Sequence, residues 1–202
     1  MDFFEIRNWF AHNLCDYLRE KEEKELKKLL SVISIFEDVE PPEESVLKEV
    51  SEEAPIFKLE GGKFTISEDP FTVDYVREKT EKYWEFLKEL SENFEPVGED
   101  LKKNVEIARE LFKKGLYFEV HEILEEVWMG EFGEYRDFLQ ALIQIGVAYY
   151  HRENYNERGF KLLLENALEL LSCYNGEVLG VKVDKLKEDI KRAKEEGTLI
   201  EF

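Results

Sequence analysis

The chain has 202 residues, of which 43% are hydrophobic and 37% charged, a composition typical of a folded globular protein with one large core or two small ones. With 28 Lys+Arg against 47 Asp+Glu, its formal net charge is −19, which disfavours generic binding to nucleic-acid phosphates or to anionic lipid. No apolar run is long enough to span a membrane. Two cysteines without a disulfide framework predict buried thiols and a cytoplasmic protein. The excess of Glu and Lys over Gln and Met resembles thermophile composition.

Residues 1–95 are predicted to form a helical module that contains a β-hairpin. Apolar spacing, prolines and the Asp69-Pro70 cap predict helices over residues 2–20, 22–36, 43–53 and 70–93. Gly61-Gly62 separates two alternating runs, which predicts a tight hairpin over residues 56–67. This order of elements resembles a winged-helix module. Because its third helix is acidic, we interpret the module as a protein-docking or dimerising element rather than a DNA reader.

A second domain is predicted over residues 100–197, beyond the boundary at Glu95-Pro96-Val97-Gly98. Helical periodicity and short connections predict an all-α array or bundle, with helices over residues 100–114, 116–129, 134–153, 156–174 and 184–196. Gly115 is expected just beyond the first of these helices, Asp184 at the start of the last, and Gly197 at its end. The expected fold class of the whole chain is therefore mainly α.

The most apolar of these helices, over residues 134–153, carries a stripe of polar side chains. Gln140 and Gln144 are four residues apart, and His151 falls on the same stripe, with Arg136 at its beginning. We expect both glutamines inside the domain, where each amide needs hydrogen-bond partners. Gln140 and His151 are about 16 Å apart along the helix, so they cannot share one compact site.

The preceding helix is expected to supply those partners. His121 and Glu125 occupy positions i and i+4 at the edge of its apolar stripe, and Trp128 continues the line. Glu122 and Glu126 are expected to point more towards solvent. Antiparallel packing of the two helices would place His121 and Glu125 beside the two glutamines and form a polar quartet.

Two motifs follow each other in this half: His121-Glu122-x-x-Glu125-Glu126-x-Trp128, and then Arg136-x-Phe138-Leu139-Gln140-x-Leu142-Ile143-Gln144 with the distal His151. Together they resemble the uncharacterised domain of unknown function family 309, over roughly residues 104–172. The resemblance implies a compact multihelical fold and carries no established activity. Ala141 stands where the family usually has glycine, a change that still permits close helix packing.

Several functions are open for the polar residues. In a structural interpretation, the His–Glu pair and the glutamines form a satisfied network that fixes the register of the helices. In an enzymatic interpretation they border a pocket for a small polar ligand, with His121 as a general acid or base oriented by Glu125. The residues expected to bind the ligand are then Arg136, which would hold an anionic group, with Gln140, Gln144 and Trp128.

A metal-binding interpretation takes His121, Glu122, Glu125 and His151 as candidate ligands of a divalent cation in a hydrolase-type site. The pattern His-Glu-x-x-Glu is similar to the helical zinc motif His-Glu-x-x-His, with Glu125 in place of the second histidine. No second copy of the motif is present, as carboxylate-rich helical sites usually have.

Clustered aromatic residues in the N-terminal half leave an interaction function open. Phe3-Phe4 with Trp9-Phe10, and Tyr83-Trp84 with Phe86, form either the core of this half or a surface for a partner or a homo-oligomer. The small size of the half favours the core.

Overall fold

The computed structural model describes residues 1–90 and 93–202, which form two compact units, Met1–Pro96 and Val97–Phe202. The described residues contain nine α-helices and two short antiparallel hairpins, which confirms the mainly α fold class. Among these helices, none combines the length and the apolar character that a bilayer crossing requires.

The N-terminal unit contains the predicted helices and the predicted hairpin, with some different ends. Its elements are α1 Phe3–Glu20, α2 Glu23–Ile33, α3 Glu44–Glu53, β1 Phe57–Glu60, β2 Lys63–Ile66 and α4 Pro70–Glu89. Asp69 caps α4 as predicted, because its carboxylate accepts hydrogen bonds from the backbone N–H groups of Phe71 and Thr72. α4 ends at Glu89, before the predicted residue 93, and residues 91–92 of the predicted range lie outside the described residues.

The hairpin turns where the glycine pair predicted it. Glu60 faces Lys63, and the two residues between them, Gly61 and Gly62, both have positive φ angles, of 58° and 78°. These are the backbone conformations of a tight two-residue hairpin turn, which residues with a Cβ adopt at a steric cost. The glycine pair therefore sets the register of the two strands.

Aromatic side chains fill the core of the N-terminal unit. Phe10 and Tyr83 are fully buried, with their ring centroids 5.6 Å apart in an edge-to-face arrangement, and Phe86 is buried with them. Phe4 is different, because 60% of its surface is exposed. The favoured interpretation of these clusters as core is confirmed for Phe10, Tyr83 and Phe86.

The C-terminal unit is the predicted helical array. Its elements are α5 Leu101–Lys113, α6 Tyr117–Gly130, α7 Arg136–Glu153, α8 Glu157–Leu170, a 3-10 turn Leu171–Cys173, β3 Glu177–Val178, β4 Val181–Lys182 and α9 Val183–Glu196. α7 packs against both α6 and α8. Gly115 follows the end of α5 and Gly197 ends α9, both with positive φ, as predicted.

The region between α8 and α9 differs from the sequence-based expectation. The helix predicted over residues 156–174 ends at Leu170, and a hairpin of two-residue strands follows it. These strands are too short to show an alternating pattern in the sequence. Asp184 is not the N-cap of α9 but lies in its first turn, where its carboxylate accepts a hydrogen bond from the backbone N–H of Gly176 at 3.0 Å. The side chain joins the hairpin to the helix, because the hairpin brings Gly176 beside it.

Gly146 determines which face of α7 meets α6. A Cβ atom at this position would lie 2.9 Å from Cγ1 of Val120 and 3.1 Å from the carbonyl oxygen of Tyr117. Both contacts are shorter than ordinary van der Waals contact, so the two helices approach as closely as they do because residue 146 has no side chain.

Candidate functional site

The polar residues of α6 form a group of their own. Nδ1 of His121 lies 3.0 Å from Oε1 of Glu122, and its Nε2 lies 3.7 Å from Oε2 of Glu125. The Glu122 side chain is 17% exposed and that of Glu125 is 44% exposed. The expectation that Glu122 points to solvent is therefore wrong. The sequence did not indicate this contact, since adjacent positions on a helix do not face each other. The contact forms because Nδ1 lies near the backbone and the next side chain can fold back to it.

The contact with Glu122 determines which nitrogen of the His121 ring carries the proton. A carboxylate at Nδ1 favours the tautomer that carries its proton there, which leaves the lone pair of Nε2 directed towards Glu125. One donor atom from each of His121, Glu122 and Glu125 lies within 4.8 Å of the others. Ligands of one zinc ion are about 3.3 Å apart, given bonds of about 2.0 Å, so the group would have to contract by small side-chain rotations to bind a cation.

The glutamines of α7 lie in the wall of a cavity of about 400 Å³. The wall is formed by α7, α8 and the 3-10 turn that follows α8, through Asp137, Gln140, Gln144, Asn166, Glu169, Leu170, Ser172, Cys173 and Tyr174. Both glutamines are half-buried rather than fully enclosed. Oε1 of Gln144 is inaccessible to solvent and has no hydrogen-bond partner among the residues that the structure describes. An acceptor in this condition is costly unless something else satisfies it.

Two residues at the end of this cavity were not predicted as site residues. The hydroxyl of Tyr174 donates to the carbonyl oxygen of Glu134 at 2.5 Å and accepts from the backbone N–H of Phe138 at 3.3 Å. Burial raises the pKa of this hydroxyl above its ordinary value, so it stays protonated. Cys173 is an exposed free thiol, whereas Cys15 is buried, so the expectation of two buried thiols is wrong for Cys173. The early end of α8 causes this exposure.

The predicted quartet divides between α6, which carries His121 and Glu125, and a face of α7 that points away from α6. Gly146 faces α6, and at 100° per residue Gln140 and Gln144 lie about 120° and 160° around the helix from it. The glutamines therefore point away from the α6 contact, in agreement with the origin of the cavity wall in α7 and α8. The sequence signal for this rotation is Gly146, the one glycine of α7.

Arg136 and Trp128 form the junction between α6 and α7. The guanidinium of Arg136 donates through NH1 to the carbonyl oxygens of Trp128 at 2.9 Å and Glu131 at 2.6 Å, and it lies 4.2 Å from the centroid of the Trp128 ring. The Trp128 carbonyl also accepts from the backbone N–H of Glu131 at 3.2 Å, so the bonds of Arg136 reinforce the end of α6 and the turn that follows it. Nε1 of Trp128 is buried and has no hydrogen-bond partner in residues 1–90 and 93–202. The predicted roles of both residues in ligand binding stay predictions.

His151 lies at the turn between α7 and α8. Its Nδ1 is 2.9 Å from Nδ2 of Asn156, while Oδ1 of Asn156 caps α8 by accepting from the backbone N–H of Gly159. The cap fixes the orientation of the amide, so Nδ2 donates and Nδ1 of His151 accepts, with the ring proton on Nε2. His151 thereby orients the capping residue of α8. Its predicted role as a metal ligand stays a prediction.

Comparison with known proteins covers this same part of the chain. Residues 105–163 match the model of the domain of unknown function family DUF309. The matched segment lies within the C-terminal unit and is less than half of the chain. The resemblance predicted from the two motifs is thus confirmed. The matched segment includes the His121 group and both glutamines, whereas the part of the cavity wall from Asn166 to Tyr174 lies beyond it.

A bacterial relative is similar to part of the chain and adds no function. The Uncharacterized protein YpuF of Bacillus subtilis is 36% identical over 69 residues, which are 34% of this chain. The chain spans 40% of the length of YpuF. No solved structure matches the chain significantly. The similarity to YpuF therefore covers part of the chain and indicates no activity.

Proposed function

We propose that the C-terminal unit binds a small polar molecule in the cavity between α7 and α8. The observation that carries this proposal is Oε1 of Gln144, a buried acceptor without a hydrogen-bond partner among the described residues, on a side chain that lines the cavity. An unsatisfied buried amide costs about 1–3 kcal/mol, and an apolar side chain would pack there without this cost. The terminal torsion of glutamine is soft, so a rotation brings this oxygen to a ligand that donates to it.

The dimensions and chemistry of the cavity support the same proposal. A volume of about 400 Å³ lies in the range of small-molecule sites. Gln140 lines the cavity beside Gln144, and Asn166 contributes a third amide from α8. Amide groups both donate and accept hydrogen bonds, so they can fix the orientation of a polar ligand. The acid–base roles predicted for His121 and Glu125 belong to the other face and are not needed for binding.

A probe panel observed by NMR tests the proposal. Amide chemical shifts of the full chain are recorded with an amine (agmatine), a polyol (glycerol) and a dicarboxylate (glutarate), each in turn. We expect one probe to shift the amides around Gln140, Gln144 and Asn166 in a saturable way, and Gln144→Leu to remove that response. Shifts that are absent for all three probes, or scattered over the surface, would overturn the proposal.

We propose as a second candidate that His121 and Glu125 bind a divalent cation, with Glu122 as the residue that orients His121. It is favoured by the 3.0 Å contact of Glu122 with Nδ1, which leaves Nε2 available beside Glu125. Titration with Co²⁺, followed by visible absorption, tests this candidate. We expect one site that His121→Ala removes and that a control in the other unit, His12→Ala, retains. Absorption that is unchanged by His121→Ala contradicts it.

We also propose a cytoplasmic protein whose N-terminal unit serves protein docking or dimerisation rather than DNA binding. The free cysteines support a reducing compartment, and the net charge of −19 argues against nucleic acid. The winged-helix-like order of elements, with an acidic α3, supports a docking module. Sedimentation velocity of the full chain at increasing concentration tests self-association, and a single monomeric species would contradict dimerisation.

A further inference from the structure

The charges around the α7–α8 cavity indicate the chemical class of its ligand. We infer that the cavity binds a small organic cation, an alkylammonium or guanidinium compound, an inference that rests on the proposed function. Two carboxylates line the cavity, Asp137 from α7 and Glu169 from α8. Its described lining contains no lysine and no arginine.

Among the described residues, the carboxylates of the cavity wall lack the basic partners that the other acidic residues of α8 have. On α8, Glu157 pairs with Lys161 at 3.5 Å, and Glu165 pairs with Lys194. Neither Asp137 nor Glu169 has a basic partner in the described part of the chain. In a protein whose surface ion pairs are numerous, unpaired carboxylates on two walls of one cavity leave a place for a positive charge.

The remaining polar groups of the wall are compatible with a ligand that donates hydrogen bonds. Oε1 of Gln144 is an acceptor without a partner in the described residues, and the oxygen of Gln140 lies on the same stripe of α7. The Tyr174 hydroxyl already donates its proton to the carbonyl oxygen of Glu134, so it offers no proton to a ligand. An anion would meet two like charges. An ammonium or guanidinium group would meet carboxylate and amide oxygens.

Isothermal titration calorimetry with agmatine, which carries both an ammonium and a guanidinium group, tests this inference on the full chain. Because a net charge of −19 attracts any cation, a matched pair of variants is needed. Glu169→Gln removes one charge from the cavity wall, and Glu188→Gln removes one from the exposed surface of α9. We expect about threefold to tenfold weaker binding for Glu169→Gln, unchanged binding for Glu188→Gln, and loss of binding for Gln144→Leu.

The possible outcomes separate this inference from the proposed function. Equal weakening by Glu169→Gln and Glu188→Gln would indicate diffuse attraction and overturn the ligand class. Binding of glycerol or glutarate at the cavity, without agmatine, would also overturn the class but keep the proposed function. If agmatine, glycerol and glutarate all fail to bind, both are overturned. Agmatine binding that persists in 300 mM salt and depends on Glu169 and Gln144 supports the inference.

Discussion

Each unit contains a helical side chain with a buried polar group, and the two differ in whether that group has a partner. In the N-terminal unit, the Lys28 side chain is 8% exposed, and its Nζ lies 2.7 Å from Glu53, 3.6 Å from Glu49 and 3.9 Å from Glu25. In the C-terminal unit, Oε1 of Gln144 has no partner in the region that the structure describes. Lys28 is explained by folding, since its charge is compensated locally. Gln144 is not explained in this way.

The presence or absence of a partner distinguishes structural polar groups from candidate functional ones better than burial alone. Arg136 and His151 also belong to the first class, because the hydrogen bonds of Arg136 complete the end of α6 and that of His151 orients the cap of α8. A buried polar group that is fully satisfied can be retained for folding. A group that lacks a partner requires a different reason, and a cavity beside it provides one.

The largest expected effect concerns Lys28. Lys28→Met keeps the apolar stem but removes the charge that Glu25, Glu49 and Glu53 share, and of these three carboxylates Glu49 retains an exposed ion pair, with Lys24. We expect the unfolding free energy of the N-terminal unit to fall by about 2–4 kcal/mol. Urea unfolding measured by tryptophan fluorescence in a Trp128→Phe background reports on this unit, since Trp9 and Trp84 then remain.

Lys24→Met is the matched control for this prediction. Lys24 is on the same helix and contacts Glu49 at 2.8 Å, but its side chain is 56% exposed. Solvent screens such a pair, so we expect almost no change in stability. If the two variants lose the same stability, Lys28 is not a compensated buried charge, and its difference from Gln144 is contradicted.

The next effect concerns Gly146, on which the separation of the two faces of α7 depends. Gly146→Ala introduces a methyl group 2.9 Å from Cγ1 of Val120, so we expect the C-terminal unit to lose about 1–3 kcal/mol. Gly130→Ala is the control, since a Cβ there meets nothing within 4 Å. Thermal unfolding followed by circular dichroism compares them. Equal melting temperatures would mean that Gly146 does not set the α6–α7 contact, and that the glutamines need not face away from α6.

A smaller effect is expected at the start of α8. Asn156→Ala removes the side chain that caps the helix and that hydrogen-bonds to His151, so we expect a loss of about 1 kcal/mol. His151→Ala removes only the orienting contact and should cost less. Denaturation of both variants measures the difference. A larger loss for His151→Ala would show that this histidine does more than orient the cap.

The sequence predicted elements better than it predicted neighbours. Apolar periodicity, the Asp69-Pro70 cap and the glycine pair gave the helices and the first hairpin, because these signals are local. The grouping of the polar residues depends on how α7 is rotated against α6 and α8, which a single close contact at Gly146 decides. The contact of His121 with Glu122, and the exposure of Cys173 at the end of α8, depend on side-chain and chain-end geometry that periodicity does not encode.

The smallest expected effect on stability is that of Gln144→Leu, which tests whether the Gln144 amide is retained for folding or for binding. Gln144→Leu replaces an amide with an unsatisfied oxygen by an apolar side chain of similar size. Removal of a buried unsatisfied group offsets the lost polar contacts, so we expect the unfolding free energy of the C-terminal unit to stay constant or rise by about 1 kcal/mol.

The same variant is expected to lose agmatine binding. Lys28→Met should lose stability and keep binding, so the two substitutions are predicted to act in opposite directions on the two measurements. A loss of about 2 kcal/mol or more in Gln144→Leu would mean that this amide is satisfied in the folded protein, like Lys28, and its place in the cavity wall would then follow from folding alone.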